Sequence, residues 1–424
     1  MIIAIVILFA LLGAPLFAVF AALALHVYRL DELDLSLISS ELGRLATMSL
    51  LQALPMFALA GYVLARSKAS ERLVRLSRAA FGWMPGGLAI VALLACTFLT
   101  AFTGASGVTI VALGGLLLPA LLSDKYNDRF SVGLVTVGGS LGLLFAPSLP
   151  LIIYAVIANP IASSVTINKL FYAGVVPGLL ITALMAVYGV LTGVRDRVPR
   201  SKFSFREFGA ALWAARWELP LPFVVLGGIY SGKLVISEAA VITAAYALIA
   251  EVLLYREIPL RRLGGIIRES MVLVGGILII LGMGMAMTNY LVDQEVPMLI
   301  FDSVQAAIQS KITFLVILNV FLLVVGCIMD IFTAIVVVVP LIVPVALEYG
   351  VDPVHLGIIF LANLAIGYCT PPIGVNLFIA SIRFDKPILS LYRATLPFLL
   401  ILLIALVLIT YVPALSLWLV RYAG

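Results

Sequence analysis

Apolar stretches about as long as a membrane is thick recur along the whole chain, and this feature constrains the fold most. A transmembrane helix needs about 20 consecutive apolar residues. The stretches that fit this length, or form a shorter piece of it, are Ile2–Leu25, Leu45–Ala65, Phe130–Ala155, Phe171–Leu191, Leu219–Tyr230, Leu234–Leu254, Met271–Val292, His355–Ala380 and Ala394–Val420. Two longer apolar blocks, Pro85–Leu122 and Ile312–Leu347, exceed one span and are interrupted near the middle. The sequence therefore predicts an all-α polytopic membrane protein.

Composition supports the same prediction. The 424 residues are 63% hydrophobic and 11% charged, whereas soluble domains contain about 45–50% apolar and about 25% charged residues. One water-soluble core could not bury so much apolar surface, so the lipid bilayer must be part of the solvent. The formal net charge of +5 comes from basic residues in short runs between apolar stretches. That distribution is typical of membrane loops and gives no indication of nucleic-acid binding.

Several functional classes lack their sequence signals. There is no P-loop, so we do not expect the chain to hydrolyse ATP. The cysteines (Cys96, Cys327 and Cys369) and the histidines (His26 and His355) show neither metal-ligand spacing nor a disulfide framework. An intramembrane enzyme would need paired acids, a histidine-rich site or a Ser/Lys dyad, so an enzyme is not expected. The first 25 residues lack a signal peptide's basic start and cleavage pattern and instead predict a membrane helix.

Charges between the spans predict the orientation of the chain. Basic residues outnumber acidic ones in segments 66–78, 195–216 and 256–268. The positive-inside bias places such segments in the cytoplasm. The acidic segments 26–44 and 293–302 should then lie outside. We therefore expect a cytoplasmic N-terminus and a C-terminus on the opposite face of the membrane.

This orientation is consistent only if the two interrupted blocks do not cross the membrane. Block 85–122 must enter and leave from the cytoplasmic side, and block 312–347 from the outside. Both are therefore predicted to be re-entrant helical hairpins. A basic amphipathic segment, Phe203–Trp217, is predicted to lie along the cytoplasmic interface; an ordinary soluble loop helix is the alternative.

A shift of 225 residues superposes the two halves of the chain. It places Pro119 on Pro344, Gly142 on Gly367 and Pro147 on Pro372, and such residues mark special backbone positions. An odd number of crossings between the halves inverts one relative to the other, as in many secondary transporters. The shift predicts three parts, namely a first inverted repeat at 1–192 (hairpin 85–122, interrupted helix 130–155), a linking part at 193–233 (the cytoplasmic amphipathic segment and a linking span), and a second inverted repeat at 234–424 (hairpin 312–347, interrupted helix 355–380).

Each half breaks helical backbone at two places predicted to lie at membrane depth. The hairpin tips are Thr103–Ser106 and Gly326–Asp330, and the breaks in the following spans are Gly138–Ser148 and Gly367–Gly374. Backbone groups freed in lipid must be satisfied by protein, ions or water. Carbonyls and hydroxyls suit a cation such as Na⁺, and helix N-termini suit a carboxylate. The breaks therefore predict one site that holds a coupling ion and an anionic substrate.

Two side chains at these breaks have more than one interpretation. Asp330 is the clearest acidic residue at membrane depth, and intramembrane carboxylates are functional by default. It could instead cap the returning half-helix. Asn376 could line the site or serve helix packing, and the same alternatives apply to Asn289.

These segments resemble a known family. Thr103–Ser106, the Gly139–Ser148 stretch, Met329-Asp330 running on to Pro344, and Gly367–Phe378 look like the large membrane subunit (DctM type) of tripartite ATP-independent periplasmic, or TRAP, transporters. The resemblance covers essentially the whole chain. One departure is at Phe145-Ala146-Pro147-Ser148, where many relatives read Ile-Pro-Pro-Ser.

The resemblance implies a sodium-driven importer of a small organic acid anion, working by an elevator mechanism in the bacterial inner membrane, so that the C-terminus would be periplasmic. It implies two partners, a small four-helix membrane subunit and a periplasmic substrate-binding protein. It places the Na⁺ ligands at Thr103, Gly104, Ser106, Ser140, Gly142, Pro147, Cys327, Asp330, Gly367, Thr370 and Pro371. It assigns contacts with the carboxylate substrate to Thr103, Ser106, Ser148, Asp330, Thr333, Thr370 and Asn376.

Two other transport functions use similar parts. A stand-alone sodium/divalent-anion symporter also has paired hairpins, but the Ser-Asn-Thr motifs usual at its tips are absent from this sequence. A channel is disfavoured because inverted repeats with closed hairpins indicate alternating access.

Overall fold

The computed structural model describes residues 6, 9, 14–199 and 202–423, and every regular element within them is helical. The beginning of the predicted first span, from Ile2, and Arg200 of the basic segment lie outside the described residues. The first half contains helices α1 Leu16–Leu30, α2 Ser36–Thr47, α3 Ser49–Arg66, α4 Ala69–Phe81, α5 Gly87–Thr103, α6 Ser106–Ser123, α7 Asp128–Gly138, α8 Leu149–Ala158 and α9 Ile167–Arg195. A 3₁₀ turn, Leu141–Leu144, lies between α7 and α8.

The remaining helices complete the linking part and the second half. They are α10 Phe205–Ala214, α11 Pro220–Tyr230, α12 Ile236–Leu248, α13 Leu260–Asp293, α14 Val296–Ala307, α15 Lys311–Ile328, α16 Ile331–Glu348, α17 Pro353–Gly367, α18 Val375–Phe384, α19 Ile388–Tyr411 and α20 Ala414–Ala423. Helix α12 continues as a π-helical turn, Ile249–Leu254.

The predicted multi-pass character is confirmed. Within the described part of the chain, seven helices are long and apolar enough to cross a membrane. The number rises to eight when residues 128–144 and 149–158, bent by 44° at the break, count as one span. The short connections and the many exposed aliphatic side chains fit a fold whose outer surface meets lipid.

Both predicted hairpins and both predicted interrupted helices contain the expected breaks. Helix α5 ends where Gly104 adopts a positive φ of 62°, a conformation that favours glycine. Helix α15 ends at Ile328, and α16 restarts after Asp330. The interrupted helices break between Gly138 and Leu149 and between Gly367 and Val375.

The helix bounds follow the shift of 225 residues. It carries α6, at 106–123, onto 331–348, which are the bounds of α16. It carries α8, at 149–158, onto 374–383, within one residue of α18. The two cis X-Pro peptides, Ala146–Pro147 and Pro371–Pro372, are related by the same shift. The orientation of each half in a membrane, and the part boundaries at 192 and 233, stay predictions.

The third basic segment, predicted as a charged loop, is helical from Leu260 onward, as the start of α13. Three other segments predicted as charged loops contain separate short helices. These are α2 and α14 in the acidic segments and α4 in the first basic segment. Each has only 12 or 13 residues and an amphipathic pattern, so a search for 20 apolar residues passes over them. The predicted amphipathic helix exists as α10, with Phe205 and Trp213 exposed; its position at the membrane interface stays a prediction.

The core places the two halves in reciprocal contact. Helix α6, the returning arm of the first hairpin, packs beside α18, the second piece of the other half's interrupted helix. Helix α16 packs beside α8 in the corresponding way. Ser106 contacts Asn376, and Val111 contacts Arg383 further along both helices. The two helices α6 and α18 therefore run parallel, with their N-termini side by side.

Candidate functional site

The first hairpin tip packs against the break in its own half. A Cβ added to Gly104 would lie 2.6 Å from Cγ of Leu149, the first residue of α8. A Cβ added to Gly142 would lie 2.4 Å from the carbonyl oxygen of Thr97 on α5. The Thr100 hydroxyl also lies 2.8 Å from the carbonyl oxygen of Gly139, to which it donates. Both glycines thus permit an approach of backbone that any larger residue would prevent.

The second tip meets its own break in the same way. The Cys327 thiol donates to the carbonyl oxygen of Thr370 over 3.2 Å, and the Gly374 amide donates to the carbonyl of Cys327 over 3.1 Å. A Cβ added to Gly367 would lie 2.6 Å from the carbonyl carbon of Gly326. The Ile331 amide donates to the Tyr368 hydroxyl. The backbone groups freed by the two breaks therefore partly satisfy each other.

Hydrogen bonds also join the two halves at the breaks. The Ser106 hydroxyl donates to Oδ1 of Asn376 over 2.7 Å. The Ser140 hydroxyl lies 3.2 Å from the carbonyl oxygen of Ala365. Asn376 therefore joins the first tip to the second interrupted helix, which agrees with a role in helix packing. It also contacts Ser106, one of the predicted site residues.

A cavity of about 1140 Å³ lies where the tips converge. One side is formed by the first tip from Gly104 to Val108, by Asp330–Phe332 and by the start of α18. The opposite side is formed by the ends of α3 and α13, including Tyr62 and Val272. The cavity thus lies between the hairpins and interrupted helices and two helices that precede the hairpins; beside it α3 packs directly on the first tip, where a Cβ added to Gly61 would lie 2.6 Å from Cα of Thr103.

Two helix N-termini without side-chain caps border this cavity. Among the described residues no side chain caps α6 or α18, although the backbone amide of Asn376 in the first turn of α18 donates to the carbonyl oxygen of Tyr368 over 3.1 Å. The first-turn residues Ser106, Gly107 and Val108 line the cavity, as does Val375 at the start of α18. The first backbone N–H groups of a helix have no intrahelical partner and carry the positive end of the helix dipole. Two such ends side by side make this wall favourable for an anion.

Asp330 caps its helix and also lines the cavity. Its Oδ1 accepts hydrogen bonds from the amides of Phe332 (3.0 Å) and Thr333 (3.1 Å), and the Thr333 hydroxyl donates to Oδ2. Asp330 therefore caps α16, which is one of the two roles that the sequence allows for it. The side chain is half-buried and borders the cavity, so the carboxylate also meets whatever occupies that space.

Three arginines on the cavity wall were missed by the sequence reasoning. Arg66 is paired with Glu269 (2.5 Å), and Arg268 lies next to that pair. Arg383 on α18 donates from Nε to the carbonyl oxygen of Val111 (3.0 Å) and forms no ion pair within the described part of the chain. The sequence does contain a signal for Arg383, because it lies seven residues after the candidate Asn376 and therefore on the same face of a helix.

The predicted site residues fall into three groups, which line the cavity, are buried behind it, or lie outside both sets. Gly104, Ser106 and Asp330 line the cavity. The buried residues behind it are Thr103, Ser140, Gly142, Pro147, Ser148, Cys327, Thr333, Gly367 and Asn376. Thr370 is half-buried, with its hydroxyl donating to its own helix at the carbonyl of Ile366 (2.9 Å), and Pro371 is exposed.

The residues at the first tip and its break fit a monovalent cation held by oxygen atoms. The Ser148 hydroxyl is fully buried and has no hydrogen-bond partner among the described residues. Helix α5 ends close by, since Gly104 packs against Leu149, the residue after Ser148, and α7 ends at Gly138, before the same break. The last carbonyls of a helix lack intrahelical partners. Hard cations take such ligands. No cluster of three or more His, Cys, Asp or Glu that could hold a metal occurs in the described ranges.

Comparisons with known proteins agree with this arrangement. Residues 2–415 match the family model "Tripartite ATP-independent periplasmic transporter, DctM component". The chain is similar to the C4-dicarboxylate TRAP transporter large permease protein DctM of Pseudomonas aeruginosa, with 36% identity over 88% of this chain and 87% of the relative. It is 36% identical to the isethionate TRAP transporter permease protein DctMQ of Oleidesulfovibrio alaskensis, over 87% of this chain and 58% of that protein. It is 34% identical to the ectoine/5-hydroxyectoine TRAP transporter large permease protein UehC of Ruegeria pomeroyi, over 87% of this chain and 85% of that one.

A solved structure shares the fold. The YdaH transporter of Alcanivorax borkumensis superposes with a TM-score of 0.63, at 16% identity, over 96% of this chain and 97% of that one. That likeness concerns the fold alone. The match to the family model over nearly the whole chain, together with the close relatives, shows that the chain belongs to the DctM family, the large membrane subunits of TRAP transporters.

Proposed function

We propose that this chain moves a small organic acid anion across the bacterial inner membrane, driven by sodium and supplied by a periplasmic binding protein. The observation that carries the proposal is the cavity, where two helix N-termini without side-chain caps lie on the same wall as Arg383. Preorganised N–H groups and a guanidinium are the donors that bind carboxylates best.

The spacing of these donors suits a short acid. Ser106 begins α6, and Val111, whose carbonyl holds Arg383, lies five residues further on. The Nη2 end of the same guanidinium lies beside Gly115, nine residues after Ser106. At 1.5 Å per residue the guanidinium therefore lies about 7.5–13.5 Å from the helix N-terminus, a distance that includes a hydrogen bond at each end. A molecule with two polar ends a few carbons apart would reach both. The names of two relatives, for C4-dicarboxylate and isethionate, support a substrate of this kind.

Sodium is proposed to bind at the tips, behind the substrate. The carbonyl-bearing ends of α5 and α7, with the Ser148 hydroxyl, provide the oxygen ligands in the first half. Asp330 lies beside the second tip and provides a negative charge that a cation would neutralise. Because the tips also border the cavity, an ion that orders them would order the anion site.

The position of the cavity supports an elevator mechanism. Its two sides belong to different groups of helices, the tips and interrupted helices on one side and α3 with α13 on the other. The first group would carry substrate and ions past the second. Arg66 and Arg268 lie at the cavity in segments that the charge bias places in the cytoplasm, so this conformation is proposed to face inward.

Two partners complete the proposed transporter. One is the small four-helix membrane subunit, and the other is the periplasmic binding protein. The relative named DctMQ is much longer than the part that this chain covers, which supports a second membrane component. The N-terminus is proposed to be cytoplasmic and the C-terminus periplasmic.

Sodium-gradient-driven uptake of labelled organic acids into proteoliposomes tests this function. The chain is reconstituted with its small subunit, with and without the binding protein, and a potassium gradient of equal size is the control. We expect uptake only with all three components and the sodium gradient. Uptake by this chain alone would instead support the stand-alone symporter, and uptake without a sodium gradient would contradict sodium coupling.

A further inference from the structure

A second, smaller pocket lies outside the site described above. It has a volume of about 310 Å³ and lies between the beginnings of α7 and α19 and the end of α9. One arginine from each of these helices borders it, namely Arg129, Arg195 and Arg393. The transport cavity and this pocket share no lining residue.

The three arginines give the pocket a positive charge that protein groups do not balance. Within the described residues, none of the three forms an ion pair. Asp196 is the one acid on the pocket wall. The other nearby acids are already paired, Asp128 with Lys386 (2.7 Å) and Asp124 with Arg78 (3.0 Å). Arginine presents a planar fork of donors that matches the oxygens of a phosphate group.

The floor of the pocket is aromatic and firmly packed. The ring of Phe130 lies 5.5 Å from that of Phe398, and Phe398 meets Tyr188 edge-on at 5.1 Å. Such contacts hold the helices that carry the arginines in fixed positions. The site is therefore formed before any ligand arrives.

Exposed leucines lead away from the pocket along the same helices. Leu396 and Leu400 lie three and seven residues after Arg393, on the same face of α19, and are 56% and 57% exposed. Leu191, four residues before Arg195 on α9, is 62% exposed. A charged pocket at the helix ends thus continues into an apolar surface. Such a surface is complementary to a charged lipid headgroup followed by an acyl chain.

We propose that this pocket binds the phosphate of an anionic phospholipid, with one acyl chain lying along Leu191, Leu396 and Leu400. Basic pockets between helices at the membrane surface are known to bind such headgroups. A free phosphate ion would use the arginines alone and leave the leucines without a role. The lipid would join α7, part of an interrupted helix, to α9 and α19.

Thermal unfolding of the delipidated chain, purified with its small subunit, tests the proposal. Added phosphatidylglycerol should raise the Tm by about 5 °C, as expected for a ligand well above its Kd. Phosphatidylcholine and inorganic phosphate should each raise it by less than half as much. An equal effect of phosphatidylcholine would show that only apolar contact matters, and an equal effect of phosphate would show a simple anion site; either result would overturn the proposal.

Matched variants assign the effect to the pocket. The triple variant Arg129→Gln, Arg195→Gln, Arg393→Gln should lose the response to phosphatidylglycerol. A control triple of exposed arginines elsewhere, Arg206→Gln, Arg256→Gln and Arg262→Gln, has the same net charge and should keep it. If both triples respond like the wild type, the pocket does not bind the lipid. Native mass spectrometry of the unaltered complex provides a measurement that needs no variant, and failure to retain phosphatidylglycerol over phosphatidylcholine would also overturn the proposal.

Discussion

Asp330 combines two tasks that substitution can separate. Its Oδ1 accepts the first amides of α16, and its charge faces the cavity. Asparagine caps helices about as well as aspartate, whereas alanine does not. An uncharged cap is therefore available at this position, and the charge can be removed without removing the hydrogen bonds that begin the helix.

We expect Asp330→Asn to insert and fold normally but to reduce sodium-driven uptake at least tenfold, because the cation loses its negative partner. Asp330→Ala should lose uptake as well and also lower the thermal stability, by about 1 kcal/mol for the missing cap. Uptake into proteoliposomes and thermal unfolding of both variants provide the measurements.

Asp352 supplies the matched control. It caps α17 in the same way, with Oδ1 accepting from the amides of Val354 (2.8 Å) and His355 (3.0 Å), and it does not line the cavity. Asp352→Asn should keep full uptake. Full uptake by Asp330→Asn would remove Asp330 from the proposed ion site.

The guanidinium of Arg383 can be moved by a substitution on the neighbouring helix, without substituting Arg383 itself. A Cβ added to Gly115 on α6 would lie 2.1 Å from Nη2 of Arg383, the mobile end of a long side chain. We expect Gly115→Ala to push the guanidinium aside and raise the KM for the anion about tenfold, with a similar effect from Arg383→Gln. Concentration-dependent uptake measures both. Gly275→Ala, at a glycine whose Cβ would meet no atom within 4 Å, should leave KM unchanged. An unaltered KM in both test variants would show that Arg383 does not contact the substrate.

The sequence predicts residues of the site unevenly. Asp330 is conspicuous because acidic residues are rare in apolar blocks, and the tip glycines are conspicuous because they interrupt a helix. Arg383 was passed over because the predicted interrupted helix ended at Ala380, three residues earlier. Its role depends on α6 and α18 running side by side, a contact between residues more than 270 positions apart that periodicity cannot reveal.

Among the elements, helix α4 is joined by an unusual group of charges to the beginning of α11 and to the π-helical turn that follows α12. Arg72 forms ion pairs with Glu218, Glu251 (2.9 Å) and Glu257, and its guanidinium lies 3.8 Å from the centre of the Tyr255 ring. Glu251, on the π-helical turn after α12, is fully buried. Burial raises the pKa of Tyr255 to about 12, with the charge of Glu218 adding to the effect, so its hydroxyl stays protonated and donates to the Ala214 carbonyl.

Removing the charge of Arg72 should therefore lower the free energy of unfolding substantially. In Arg72→Gln two buried glutamates lose their partner, and breaking a buried ion pair from one side costs about 3–5 kcal/mol. We expect a marked fall in Tm, measured by thermal unfolding in detergent. Adding Glu251→Gln to Arg72→Gln should restore part of the loss, because the charge left without a partner is then also removed.

A nearby arginine on the same helix provides the comparison. Arg75 pairs with Glu207 on α10, but both side chains are about half exposed. Exposed ion pairs contribute about 0–1 kcal/mol, so Arg75→Gln should leave the Tm almost unchanged. Equal effects of the two substitutions would mean that the Arg72 group is as well solvated as a surface pair.

The same helix shows why some elements escaped prediction. Helix α4 is polar on one face and has 13 residues, so neither length nor hydropathy separates it from a loop. Its place depends on Arg72 reaching carboxylates that are about 150 to 190 positions further along the chain. The hairpins and interrupted helices were predictable because glycine and proline break a helix locally, within the residues that a reader of the sequence can see.

For the whole molecule, the cavity raises the question of which side of the membrane it faces. The repeat predicts that each tip approaches the centre from a different side, so that two related conformations exist. The conformation described here opens beside Arg66 and Arg268. If the basic segments are cytoplasmic, the substrate site is accessible from the cytoplasm and closed to the outside.

Cysteine labelling shows which side of the membrane the cavity faces. The three native cysteines are buried and should react slowly, so an introduced cysteine can be detected. Val111 lines the cavity and is 45% exposed, and valine and cysteine are close in size. We expect Val111→Cys to react with a membrane-impermeant maleimide in inside-out vesicles and to be protected in right-side-out vesicles. Gln305→Cys, an exposed position next to the acidic segment predicted to lie outside, should show the reverse pattern and verifies the orientation of the vesicles.

Reaction of Val111→Cys only from the outside would reverse the assigned direction of the cavity. Equal reaction from both faces, with Gln305→Cys still reacting from one, would mean that the cavity opens to both sides during labelling, through exchange of the two conformations or through a continuous pore, and would contradict a protein held in the inward-facing state.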